Sequence, residues 1–124
     1  MRRVVVTGLG ALTPIGKNLH EYWEGLKNGI SGSDLITRFN TEKFKTRFAC
    51  ELKGYDSSNY FERKEANKLD LFAQYAHIAS DEAIADAGLI SDKVNKERIG
   101  VIWASGIGGI DTFYQTIKSF VEGD

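Results

Sequence analysis

Two passages of this chain run from β-branched residues into clustered glycines: V-V-V-T-G-L-G-A-L-T-P-I-G over residues 4–16 and V-I-W-A-S-G-I-G-G over residues 101–109. An apolar run without alternation is what a strand covered on both faces requires. Glycine at the end of such a run admits a turn, or a neighbouring backbone, where a Cβ would collide. The passages therefore predict buried strands at residues 4–7 and 99–105, each leading into a crowded corner. In open α/β sheets that end of the strands is where ligand sites are built.

The remaining periodicity fills in a helix-rich chain. Residues 19–28 read as a short helix, with Asn18 as cap, Glu21 completing a capping box and Gly29 in the C′ role. Residues 29–40 read as a loop. Residues 44–52 alternate: Phe44, Thr46, Phe48, Cys50 and Leu52 face one way, Lys45, Arg47 and Glu51 the other, as in a strand with one wet face. Residues 68–87 form the longest helix candidate, with Leu69, Phe72, Ala76, Ala79, Ala83 and Ala87 along one stripe and Gly88 at its end. Those alanines allow close approach of another element. Ile110, Phe113, Ile117 and Val121 mark a last helix, which Asp111 can cap. The class is α/β, with too few strands to cover the apolar faces. An unfinished fold is expected.

Composition removes several function classes. A net charge of -1 makes no strong field for nucleic acid. The single cysteine, Cys50, rules out an internal disulfide and points to a reducing compartment. No stretch is long enough to span a bilayer, so a cytoplasmic location is expected. Residues 38–68 hold eight Lys and Arg against five Asp and Glu, a local balance of +3 that leaves -4 for the rest and could seat an acidic partner.

G-L-G-A-L-T at residues 8–13 imitates a dinucleotide fingerprint, but Thr13 replaces the third glycine, Pro14 interrupts the helix start, and Asp34 lies in a loop rather than at the end of a second strand. Close packing explains its glycines better. In residues 106–109 only Ile107 carries a side chain larger than hydrogen, which fits a pocket wall and plain core equally well. Cys50, mid-strand on an apolar face, reads as a buried inert thiol, since an activated thiolate needs a base or a helix N-terminus nearby. His20 and His77 lack metal-ligand spacing. Asp81, Glu82 and Asp111 read as exposed helix residues or caps. In R-K-E-A-N-K, residues 63–68, Lys64 and Lys68 share a helical face, either as a solvated helix end or as a docking surface for an acidic partner.

The order of four motifs is more specific than any of them. V-V-V-T-G-L-G-A-L-T-P-I-G, then G-I-S-G at residues 29–32, then R-K-E-A-N-K-L-D before the alanine-rich helix, then R-I-G-V-I-W-A-S-G-I-G-G together resemble the N-terminal part of the β-ketoacyl-acyl-carrier-protein synthases, closest to the type II elongating enzymes of fatty acid synthesis. The resemblance implies a thiolase-like fold of α-β-α-β-α layers, a homodimer, no cofactor and a decarboxylating Claisen condensation. In that reaction an acyl thioester meets malonyl-carrier protein. It further implies that the nucleophilic cysteine, two histidines and a lysine of the family fall after residue 124, so this chain holds no catalytic residue and Cys50 does not take that role. By the same resemblance Ile107 lines the acyl pocket near the dimer interface, and Lys64 and Lys68 help dock the acidic acyl carrier protein. Asn67 stands where many relatives carry a further basic residue. A nucleotide-binding module using Gly8 and Gly10, and a non-catalytic carrier-binding module, are the rival readings.

Overall fold

The computed structural model describes residues 2–123. They divide into two compact units: residues up to Tyr55 together with Ile78–Ser91, and Asp56–His77 together with the residues from Asp92 onward. The longest helix, α3 (Leu71–Asp86), contributes its first seven residues to the second unit and the rest to the first.

In the first unit, α1 (Leu19–Lys27) starts where the Asn18 side chain accepts the Glu21 amide at 2.9 Å. Glu21 reaches back as expected of a capping box, but to the amide of Lys17, one residue before the cap, at 2.8 Å. The helix ends in a full Schellman motif: Gly29, at φ 64°, donates to Leu26 and Ile30 donates to Gly25. The end of α3 repeats it, with Gly88 at φ 66° bonded to Ala85 and Leu89 to Ile84. Both stops fall where glycine was expected to place them.

The sheet is smaller than expected. Asp34–Leu35 (β1) pairs antiparallel with Phe48–Ala49 (β2), in the register Asp34↔Ala49 and Leu35↔Phe48. Part of the expected loop is thus a strand, and the expected strand over residues 44–52 is reduced to two residues. Phe48 remains exposed, because no layer within the unit covers that face. Residues 4–7 and 99–105 form no ladder among the described residues. The prediction of buried strands fails here: Val4 is 91% and Ile102 96% exposed. A fully covered strand needs a neighbour on each edge and a layer on each face, and the described residues supply neither.

The long helix expected over residues 68–87 forms unbroken as α3, starting three residues later, and a separate turn precedes it. Arg63–Ala66 forms a single turn, α2, and α3 begins only at Leu71. Buried Gln74 ties them together, its amide nitrogen donating to the carbonyls of Ala66 at 3.0 Å and Leu69 at 2.9 Å. The last helix, α4 (Ile110–Glu122), lies where its apolar spacing predicts, but Asp111 does not cap it. The N-cap is Gly109, left-handed at φ 69° and without a side-chain acceptor of its own. Among the described residues the buried apolar side chains are Ala66 and Ala76 in the second unit and Ala79 in the first, so each unit buries small side chains and not bulky ones.

Candidate functional site: two glycine corners and a basic turn

The first corner is closed. A Cβ on Gly8 would stand 2.5 Å from the Ala83 carbonyl oxygen and 2.7 Å from the Ala87 Cβ. One on Gly10 would stand 2.0 Å from the Ala79 oxygen. Glycine is required here because the alanine stripe of α3 lies directly against the backbone. Three amides near this corner are taken by carboxylates. Leu9 donates to Asp86 at 2.9 Å, and Glu82 accepts from both Ala11 and Leu19 at 2.8 Å. Thr13 and Gly16 then close a tight turn around Pro14. The amides of Leu9 and Ala11, which a phosphate would need from a Gly-rich loop, are bonded to anionic side chains. The geometry speaks for packing and against a dinucleotide.

Glu82 and Asp86 were missed as contributors. Their signal lies in the chain: Ala79, Glu82, Ala83 and Asp86 follow helical spacing, so small residues and acceptors share one face. Glu82 read alone looks like an ordinary solvated carboxylate.

The second corner is open. Ile107 is 70% exposed, and a Cβ on Gly106 would meet nothing within 4 Å. The next two glycines are held: a Cβ on Gly108 would come 3.1 Å from the Phe72 ring, and one on Gly109 3.2 Å from an Asp70 carboxylate oxygen. The other Asp70 oxygen accepts the Thr112 hydroxyl. Ile107 is therefore not core within its unit. It is an apolar side chain presented on a glycine turn.

Lys64 lies in α2 and Lys68 in the turn after it, where the Lys68 amide donates to Glu65 at 2.9 Å. Both are exposed, as is Arg63, and none of the three makes an ion pair among the described residues. Asn67 is the C-cap of α2. The expected continuous helical face is interrupted between the two lysines, but the cations stay solvated.

Cys50 is exposed, immediately after β2, which corrects its reading as a buried thiol; the apolar face it was assigned to has no cover within its unit. His20 is exposed in the first turn of α1, and His77 meets Phe61 edge-on with ring centroids 6.1 Å apart. No group of three metal-ligating side chains forms among the described residues, and none of their helices is long and apolar enough to cross a membrane.

Three carboxyls are held below their ordinary range. Asp34 is lowered by the hydrogen bond from Lys53, at 2.7 Å, and then by the Leu35 amide. Glu51 is lowered chiefly by the Thr37 hydroxyl at 2.7 Å, and Asp56 by the Ser58 hydroxyl at 2.7 Å. All three belong to local turns and pairings, not to a reactive cluster.

Residues 1–122 match the family model described as the N-terminal domain of beta-ketoacyl synthase. The chain is 47% identical over 109 residues to 3-oxoacyl-[acyl-carrier-protein] synthase 2 of Synechocystis sp., an alignment covering 88% of this chain and 26% of that protein. It is 45% identical over 121 residues to the protein of the same name from Staphylococcus aureus, covering 98% and 29%. Among solved structures it is similar to the ishigamide ketosynthase/chain length factor, with a TM-score of 0.73, 29% identity and coverage of 99% of this chain and 31% of that one. A β-ketoacyl synthase from Burkholderia phymatum gives 0.69 at 29% identity, covering 96% and 30%. The chain thus spans less than a third of the length of these relatives. Its fold is the corresponding part of the thiolase-like ketosynthase fold.

Proposed function

Because the chain belongs to the β-ketoacyl synthase family, we propose that it forms the N-terminal part of a type II 3-oxoacyl-[acyl-carrier-protein] synthase of fatty acid elongation, working in the cytoplasm as a homodimer. In that enzyme a thiolate takes the acyl group from the carrier protein. Malonyl-carrier protein then loses carbon dioxide, and the resulting carbanion attacks the acyl thioester. This chain's share is structural and recognitional. Glu82 and Asp86 fix the first corner on α3. Ile107 forms part of the acyl-pocket wall. Lys64 and Lys68 dock the acidic carrier protein. Cys50, exposed directly after β2, takes no part in acyl transfer.

The family match across residues 1–122 carries the reading, and the exposed Ile107 and unpaired Lys64 and Lys68 are what such roles require. A hybrid enzyme tests it, with residues 1–122 replacing the matching segment of the Staphylococcus aureus relative. The hybrid should condense acyl and malonyl thioesters, whereas the 124-residue chain alone should not. Cysteine-dependent acyl transfer by the isolated chain would refute the division of labour. Reversing Lys64 and Lys68 to glutamate in the hybrid should weaken carrier binding by about 1 kcal/mol or more, and by more at low salt. Unchanged affinity removes the docking role.

A further inference from the structure

We propose that Asp70 is the positioning residue of the Ile107 corner, and through it a determinant of which acyl chains the corner accepts; the second half of this rests on Ile107 lining the acyl pocket. The argument starts from the way α4 begins. Gly109 opens the helix in the left-handed region and has no side chain to cap it. A carboxylate from before α3 instead meets this first turn through a side chain. One Asp70 oxygen accepts the Thr112 hydroxyl in the first turn of α4, and the other lies against Gly109, 3.2 Å from where a Cβ would stand. A carboxylate at a helix N-terminus is favoured by the helix dipole as well.

Asp70 is itself fixed, because its carbonyl accepts the amides of Ala73 at 2.9 Å and Gln74 at 3.0 Å at the start of α3. Two residues on, the Phe72 ring lies 3.1–3.5 Å from the Cβ position of Gly108. Gly108 and Gly109 are thus held by side chains from positions 72 and 70, while Gly106 has open space around it. Ile107 hangs at the boundary between the held and the free halves of the turn. Its place is set from Asp70, and Lys68 lies only two residues before that carboxylate.

Four variants and two readouts test this. In the hybrid enzyme, Thr112→Val and Asp70→Ala should change the kcat/KM ratio between long and short acyl-carrier thioesters by about tenfold, the scale of a remodelled apolar wall. Thr112→Ser, which keeps the hydroxyl, should preserve the parent ratio. Ile107→Trp serves as the control for the pocket assignment. If Ile107→Trp shifts the ratio and neither Thr112→Val nor Asp70→Ala does, the role of Asp70 is overturned. If Ile107→Trp leaves the ratio unchanged, the pocket assignment is what fails. The decision on Asp70 then falls to the 124-residue chain, by the NMR methyl resonance of Ile107. Its displacement by Thr112→Val but not by Thr112→Ser supports the positioning role of Asp70, and an unmoved resonance overturns it.

Discussion

The two glycine corners look alike as sequence and behave oppositely as structure. At the first, the backbone of residues 8–10 lies against α3 so closely that no side chain fits, and carboxylates from that helix occupy nearby amides. At the second, two glycines are held from one side while Gly106 and Ile107 remain open. Glycine does different things in the two places. In one it permits contact between backbones; in the other it permits a turn and leaves one apolar side chain on display. What separates them is what they meet, helix backbone and alanine at the first and the Phe72 ring and Asp70 carboxylate at the second, which a local motif does not contain.

The comparison breaks most sharply on adding one methyl group at each corner. Gly10→Ala places a Cβ 2.0 Å from a helix carbonyl oxygen. Backbone cannot swing aside as a side-chain tip can, so a loss of about 3 kcal/mol is expected, the upper end of ordinary overpacking costs. Gly106→Ala meets open space and should lie within about 0.5 kcal/mol of the parent. Urea unfolding followed by helix signal measures both. Equal costs would mean the first corner is not packed as described.

Removing the clamp comes next in size. Glu82→Ala strips the acceptor from the Ala11 and Leu19 amides, at about 1–3 kcal/mol for part-buried donors left unpaired. Asp81→Ala, one position away on an exposed surface, should again stay within about 0.5 kcal/mol. Amide exchange at Ala11 and Leu19 identifies the cause, since both should accelerate in the first variant and neither in the second.

Much of this was legible in the chain, and the divisions have physical reasons. Helix ends were, because Gly29 and Gly88 act through their own φ angle and bonds within a few residues. That α3 could be approached closely was readable in its alanines, though not by which element, and the family was readable in the order of four motifs. Strands were not, because a ladder depends on partners: residues 4–7 carry a strand composition and find no neighbour among the described residues. Cys50 was misplaced for the same reason, its alternation being real but its covering layer missing. Glu82, Asp86 and Asp70 were invisible as positioning groups, since the amides and hydroxyl they serve lie 42 to 77 residues away along the chain. Gln74 concealed itself differently, as a polar residue inside a helical stripe that proves to be the splice between α2 and α3.

The smallest expected effect sets the packed corner against the β1–β2 pairing by acid. The close approach of Gly10 to Ala79 carries no charge and does not depend on pH. The β1–β2 pairing does, through the Asp34 bond from Lys53 and the Glu51 bonds from Thr37. Both carboxyls are lowered in the folded chain, so their contribution is fully present above the ordinary carboxylate range of about 4. It is lost as pH falls through their depressed values. Both groups are solvated, so the loss is local: the Leu35 and Thr37 amide resonances should shift on acidification below about pH 4. Leu35 and Thr37 amides that stay unmoved over that range would show that the pairing does not rest on those two carboxyls.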